Sequence, residues 1–251
     1  LNSKSSIKSA DQYQFEEGEV LLFDKPLGWT SFQLVRKVKH ILQVHLNRKT
    51  KVGHAGTLDP LASGLMVICT GKATKQAMAL TSADKAYTAT IQLGFETDSF
   101  DLETPVRPSG SFAHLTQAHI EATLRSMEGE QLQTPPVFSA KKIDGKRAYT
   151  YARQGETVEM RKQLITLHEI SLLSYASDTG LLSCHIRCTK GTYIRSFAHD
   201  LGQKLGCGAH LTALRRTASE PFHLDHAMQI EDFLAALPRA KARNSSGGTK
   251  P

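Results

Sequence analysis

Apolar residues along this chain follow two rhythms. Between Ala86 and Leu93 every second position tends to be apolar. Tyr87, Ala89, Ile91 and Leu93 share one face and Thr88, Thr90 and Gln92 the other, which predicts a half-buried strand. Strands are also predicted at Glu19–Phe23, at Leu65–Cys69, at Leu164–Tyr175 and Leu181–Thr189 (a pair around Ser177–Gly180), and at His210–Arg215. The second rhythm is helical. Phe32, Val35, Val38, Ile41 and Leu42 predict a helix over Phe32–Val44, behind the capping signal Thr30-Ser31 and with Arg36, Lys37 and Lys39 on its polar face. Further helices are predicted at Ala73–Leu80, Thr116–Met127, Arg147–Gln154, Arg195–Leu205 and Ile230–Leu237. His45–Pro60 lacks a clear period and reads as a loop. Strands and helices are interspersed without regular βαβ alternation. The expected fold class is therefore α/β of the α+β kind, a mixed, mostly antiparallel sheet flanked by helices. Residues 16–238 show no strong linker and are expected to form one catalytic domain. The polar residues 1–15 and the basic residues 239–251 are expected to be disordered.

Composition narrows the function classes. No apolar run approaches the ~18 residues that span a bilayer; the longest, Leu61–Cys69, contains Ser63 and Gly64. The N-terminus has no apolar signal-peptide core, so a cytoplasmic protein is expected. The four cysteines form no C-x-x-C and no histidine pair has zinc-finger spacing, so reduced thiols serving as small hydrophobes are expected. The formal net charge of +7 favours a polyanionic partner only mildly. Its distribution says more. Lys25, Arg36, Lys37, Lys39, Arg48, Lys49, Lys51, Lys72 and Lys75 fall between Lys25 and Ala83, a stretch whose one acid is Asp59. A basic face around a single carboxylate suits a phosphate backbone and a reactive anion. A solvated basic surface with Asp59 as a turn residue is the plainer alternative, favoured on charge alone. Glu96, Asp98, Asp101 and Glu103 form an acidic stretch without EF-hand spacing and read as a solvated loop.

Common catalytic signatures fail. Gly71-Lys72 lacks the remainder of a P-loop, and neither a deaminase signature nor a nucleophile elbow occurs. The informative stretch is Lys51–Lys75, a Gly-rich segment holding His54 and Asp59 ahead of a buried strand. Pro60 fixes its own φ and disfavours helix at Asp59. Neighbouring cations are expected to keep that carboxylate ionised, which suits a nucleophile or base better than a general acid.

Gly53-His54-Ala55-Gly56-Thr57-Leu58-Asp59-Pro60 resembles the catalytic motif of the TruB/dyskerin class of pseudouridine synthases. Other blocks resemble the same class in order: Lys25-Pro26-x-Gly28-x-Thr30-Ser31, Asp84-Lys85-x-Tyr87, Thr134–Lys142, Gly145-Lys146-Arg147-x-Tyr149, Lys190–Arg195, Asp200-Leu201-Gly202 and Leu214-Arg215-Arg216-Thr217. They span Val20–Phe222. Phe138 stands where the class often has Tyr, and Glu220 where a Gly often follows the last block.

The resemblance implies the pseudouridine synthase fold and an isomerase that converts the T-loop uridine of tRNA (position 55 of the tRNA) to pseudouridine, without metal or organic cofactor. It implies Asp59 as the catalytic carboxylate and Arg195 as its ion-pair partner. His54, Tyr87, Tyr193 and Leu214 would line the site of the flipped nucleotide, and Lys75 would contact RNA. The expected partner is tRNA, bound by a monomer. With 35 residues after Arg216, a separate C-terminal PUA domain is not expected. Two other readings stay open: a non-catalytic RNA-binding or RNA-folding module of the same fold, and an RNA glycosidase that releases uracil to water.

Overall fold

The computed structural model describes residues 8, 10–139, 141–143, 145–154, 156 and 158–237. The predicted tail 239–251, and residues 1–7 and 9 of the predicted arm, lie outside the described residues. In chain order the elements are β1 (Val20–Lys25), α1 (Ser31–Leu46), β2 (Val52–Ala55), β3 (Ala62–Thr70), a 3-10 turn (Gly71–Gln76), α2 (Ala77–Thr81), β4 (Lys85–Leu93), β5 (Phe95–Glu96) and β6 (Arg107–Pro108). There follow α3 (Gln117–Ser126), β7 (Gly129–Gln133), β8 (Lys142–Ile143), β9 (Lys146–Arg147), α4 (Ala148–Arg153), β10 (Gln163–Ala176) and β11 (Leu181–Cys188). The last are α5 (Ile194–Leu205), β12 (Ala209–Ser219), β13 (Phe222–His223) and α6 (Ile230–Ala236).

The main sheet runs β1-β3-β12-β4-β11-β10-β7, with β2 paired to β3 and β13 to β12. The β12–β3 pairing is parallel, and the other pairs in this sheet are antiparallel. This is the mixed, mostly antiparallel sheet that the hydrophobic pattern predicts. Its alternation is clearest in β4, where Tyr87, Ala89, Ile91 and Leu93 are buried. These residues share one core with Leu34, Val38 and Ile41 of α1, Ile120 and Leu124 of α3, Phe197 and Leu201 of α5, and Phe233 of α6. Within β3, Leu65–Cys69 is apolar throughout because both faces are covered: Met66 and Ile68 join this core while Leu65 and Val67 join a smaller cluster with Ala55. Among the described residues no helix is long and apolar enough to cross a membrane.

The structure corrects three expectations. Residues 10–15 are not a disordered arm. Phe15 is 3% exposed, stacked on Tyr13 at 4.8 Å and edge-on to Phe233 at 6.2 Å; two aromatics in an otherwise polar segment anchor it to the core. The stretch 45–60 is not all loop: α1 continues to Leu46, and Val52–Ala55 pair with Val67–Thr70. A four-residue strand is too short to display a period, and β3 supplies its hydrogen bonds. Finally, β12 runs to Ser219, beyond the expected Arg215, because Arg216, which breaks the apolar pattern, is a buried residue of this strand at 1% exposure.

Candidate active site

Asp59 is held by contacts that start in the backbone. Gly56, three residues before it, turns the chain at φ +89°, a conformation that costs glycine little. The hydroxyl of Ser31, at the start of α1, accepts from Leu58 N and donates to Leu58 O, both at 2.8 Å. Gly28 N donates to Pro60 O at 2.8 Å, and the buried Lys25 ammonium braces the opening turn by donating to Pro26 O and Trp29 O. From the other side, Arg216 donates to Leu65 O at 2.8 Å and to Gly56 O at 3.1 Å. Gly64 permits this approach: a Cβ there would lie 2.4 Å from Arg216 O. The opening and closing blocks of the sequence thus meet on the Asp59 loop. Ser31→Ala leaves both Leu58 backbone groups without these partners. It should lower stability by about 1–3 kcal/mol in urea unfolding and lower turnover with it.

The Asp59 carboxylate receives Arg195 Nη2 at 2.9 Å. Arg195, from the first turn of α5, is 4% exposed. Its Nη1 donates to Phe138 O at 2.8 Å and stands 3.6 Å from the Asp101 carboxylate. Asp101 is buried, its main-chain oxygen accepting from Thr97 Oγ1 at 2.7 Å and its carboxylate from Glu103 N at 2.9 Å. The preceding Phe100 adopts φ +63° and stacks on His199 of α5 at 4.1 Å, so the loop carrying Asp101 is fastened to the helix carrying Arg195. One buried arginine is shared between two carboxylates. Asp101 is therefore not part of a solvated loop, as its acidic neighbours suggested. Those neighbours differ: Asp98 is exposed and pairs with Arg107.

These surroundings also correct the electrostatic expectation. Burial pushes the Asp59 carboxyl above its ordinary value; Arg195 opposes this, and the Asp101 and Glu103 charges add to it. Yet 44% of the side chain remains exposed, on the side that opens to the cleft. Most of the nine cations counted around Asp59 lie elsewhere. Arg48 and Lys72 pair with Glu16 and Glu17, whereas Lys25 is buried, which lowers it to about 8 against the pull of Asp59. A carboxyl raised by folding binds its proton more tightly folded than unfolded. Its ionisation therefore costs stability as pH rises through the interval above 3.8. If the ionised form reacts, the acid limb of the pH–rate profile should have its midpoint above 3.8, and Asp101→Asn, which removes a raising charge, should move that midpoint down.

The cleft above Asp59 has a volume of about 650 Å³. Tyr87, Tyr193, Arg195 and Leu214 line it with Asp59, so the structure brings five of the expected site residues together. Burial pushes both phenols up, with Arg216 partly opposing at Tyr87, and Ser139 and then Arg195 at Tyr193. Lys141, Lys190 and the nearly buried Lys85 bring positive charge to the same cleft. Burial lowers Lys85 to about 8, Arg216 adding to the effect, while its ammonium donates to Thr81 O at 2.7 Å.

Two expected residues are not in the cleft wall. His54 sits on β2, with Nδ1 buried and lacking a hydrogen-bond partner among the described residues, and burial lowers its pKa. Lys75 is exposed on the 3-10 turn after β3. Sequence reasoning missed Asp101, Lys85 and Arg216 as site residues. Lys85 and Arg216 stood inside blocks singled out for Tyr87 and Leu214; Asp101 had no local signal.

Comparison with known proteins assigns this fold and cleft to a family. Residues 39–194 match the N-terminal domain of the TruB family of pseudouridylate synthases, and residues 195–246 match the C-terminal domain of tRNA pseudouridylate synthase B. The tRNA pseudouridine synthase B of Phocaeicola vulgatus is 48% identical over 220 residues, covering 87% of this chain and 93% of that one. The namesake from Flavobacterium johnsoniae is 44% identical over 226 residues, covering 89% and 98%. A solved Cbf5–Nop10–Gar1 complex contains a chain 29% identical with a TM-score of 0.67, and an H/ACA RNP bound to a substrate RNA contains one 27% identical with a TM-score of 0.64. The alignments cover 90% and 88% of this chain but only 57% and 53% of those solved chains. The chain belongs to the TruB family of pseudouridylate synthases. The two family segments meet at the start of α5, and β12 of the second lies between β3 and β4 of the first.

Proposed function

We propose that this protein isomerises the T-loop uridine of tRNA, position 55 of the tRNA, to pseudouridine. The observation that carries the reading is a carboxylate, Asp59, on a braced loop, 2.9 Å from a buried arginine and open to a cleft lined by Tyr87, Tyr193 and Leu214. The relatives named tRNA pseudouridine synthase B support tRNA as the substrate.

The reaction breaks the C1′–N1 bond, turns the uracil, joins C5 to C1′, and moves the C5 proton so that N1 ends protonated. Product and substrate are isomers. Asp59 acts as an anion, by attack at C1′ as in a retaining glycosidase, by removal of a sugar proton to give a glycal, or by addition to the uracil ring. Arg195 orients it. The target base leaves its stack to reach this depth, and the Tyr87 ring and Leu214 receive it. A cleft closed over the detached uracil by RNA keeps water from competing for C1′. Tyr193 lines the nucleotide site; His54 supports the Asp59 loop from β2, and Lys75 contacts RNA phosphate. The chemistry requires neither metal nor organic cofactor, and a monomer carries every group it uses.

The test is chemical mapping of pseudouridine in an unmodified tRNA transcript after incubation with the protein. One new pseudouridine, in the T loop, is expected. Modification at other positions alone, or none, would contradict the reading.

A further inference from the structure

The outward face of α1 carries a second basic feature, separate from the cleft. Gln33, Arg36, Lys37, Lys39, His40 and Gln43 border a shallow groove of about 590 Å³. It continues past His40 and Gln43 to Lys49. The helix contains no Asp or Glu. Arg36, Lys37 and Lys39 are all exposed, and none of them pairs with a carboxylate among the described residues. Arg48 at the far end differs, because Glu16 neutralises it.

We propose that this groove binds the phosphodiester backbone of the substrate RNA outside the hairpin whose loop enters the cleft. The proposal rests on the RNA-modifying reading and extends it to a second contact region. Three observations support it. Arg36, Lys37 and Lys39 are flanked by the hydrogen-bonding side chains Gln33, His40 and Gln43, a mixture suited to phosphate oxygens and ribose hydroxyls. Of the helix's apolar residues, Leu34, Val38, Ile41 and Leu42 are buried in the core while Phe32 is exposed; Trp29 is the one apolar side chain among the groove's lining residues, so the groove face is not the broad apolar face that a lipid surface would require. Finally, the groove is rigidly tied to the chemistry: Ser31, the first residue of α1, holds Leu58 beside Asp59 through two hydrogen bonds of 2.8 Å. At 1.5 Å per residue, Lys39 and Gln43 stand about 12–18 Å along the helix from that anchor, beyond the nucleotide that occupies the cleft. RNA seated on α1 therefore helps set the position of the hairpin against Asp59.

The test compares a full-length tRNA transcript with its isolated T-arm hairpin, using wild type and Arg36→Glu/Lys37→Glu/Lys39→Glu. The variant should bind tRNA roughly tenfold or more weakly, and its log K against log salt slope should shrink by about 2–3 for three lost phosphate contacts. It should convert the hairpin at the wild-type rate, which also shows that it is folded. The neutral variant Arg36→Gln/Lys37→Gln/Lys39→Gln should fall between the two. Unchanged tRNA affinity and salt slope would overturn the proposal, and so would an equal loss on hairpin and tRNA, which would place the effect in the cleft. Failure of the wild type to convert either RNA would count against the functional reading itself, while the binding measurements would still decide the groove.

Discussion

Asp59→Asn should lower the rate of pseudouridine formation by roughly 10⁴-fold or more, the scale seen when a group that acts directly on the reacting atoms is removed, while changing tRNA affinity little. The substitution keeps the shape of the side chain and removes its charge. Because burial and the Asp101 and Glu103 charges all oppose ionisation of Asp59, the variant should melt no lower than wild type near neutral pH. An essential residue whose charge is a burden to the fold is what a functional constraint looks like. Single-turnover kinetics with thermal melting measures both. A variant that stays active would remove Asp59 from the chemistry, and one that melts far below wild type would make its loss of activity a loss of structure.

The second large effect is expected at Arg195. Its guanidinium lies between the Asp59 and Asp101 carboxylates, with Phe138 O as a third partner at 2.8 Å. Arg195→Met removes the cation and leaves the buried Asp101 carboxylate with the Glu103 N hydrogen bond but without its counter-charge. Breaking a buried pair in this way costs roughly 3–5 kcal/mol, a large part of the stability of an ordinary domain. Turnover should also fall by roughly 10³-fold as Asp59 loses the group that orients it. Arg195→Lys separates the two effects. It keeps the charge and loses the planar fork that reaches both carboxylates and Phe138 O, so it should recover most of the stability and little of the rate. Urea unfolding and single-turnover rates of the two variants check this. Full activity in Arg195→Lys would reduce the arginine's role to charge alone.

What was legible in the sequence follows a physical division. Elements with a long period, such as α1 and β4, show their buried face in the order of their residues, and the sheet class follows from them. Asp59 was legible because it stands in the recognisable Gly53–Pro60 block on a constrained Gly-rich loop, and Tyr87, Tyr193, Arg195 and Leu214 because they stand in recognisable blocks of their own. Asp101 and Asp98 look alike in sequence, two acids three residues apart. They part in the fold because Leu211 of β12 donates to Phe100 O at 2.9 Å and His199 stacks on the Phe100 ring, turning Asp101 inward. Those partners lie about a hundred residues away, beyond the reach of any local pattern. Arg216 is a similar case: it reads as a polar break in a strand, yet its donors fill the carbonyl sites left by the turn at Gly56. The same distance effect explains the electrostatics of Asp59. Counting cations nearby in sequence suggested a carboxyl held down by positive charge, whereas in the fold burial raises it most, with one shared arginine opposing and two further acids adding to the rise.

The most direct test of the central claim is the fate of the uracil C5 proton. Wild-type protein is mixed with tRNA carrying tritium at uridine C5, and tritium released to water and free uracil are measured together, with Asp59→Asn alongside. Tritium release without free uracil, lost in Asp59→Asn, is the predicted result. Free uracil in proportion to the RNA consumed would make the protein a glycosidase, and equal release by Asp59→Asn would contradict the role given to that carboxylate.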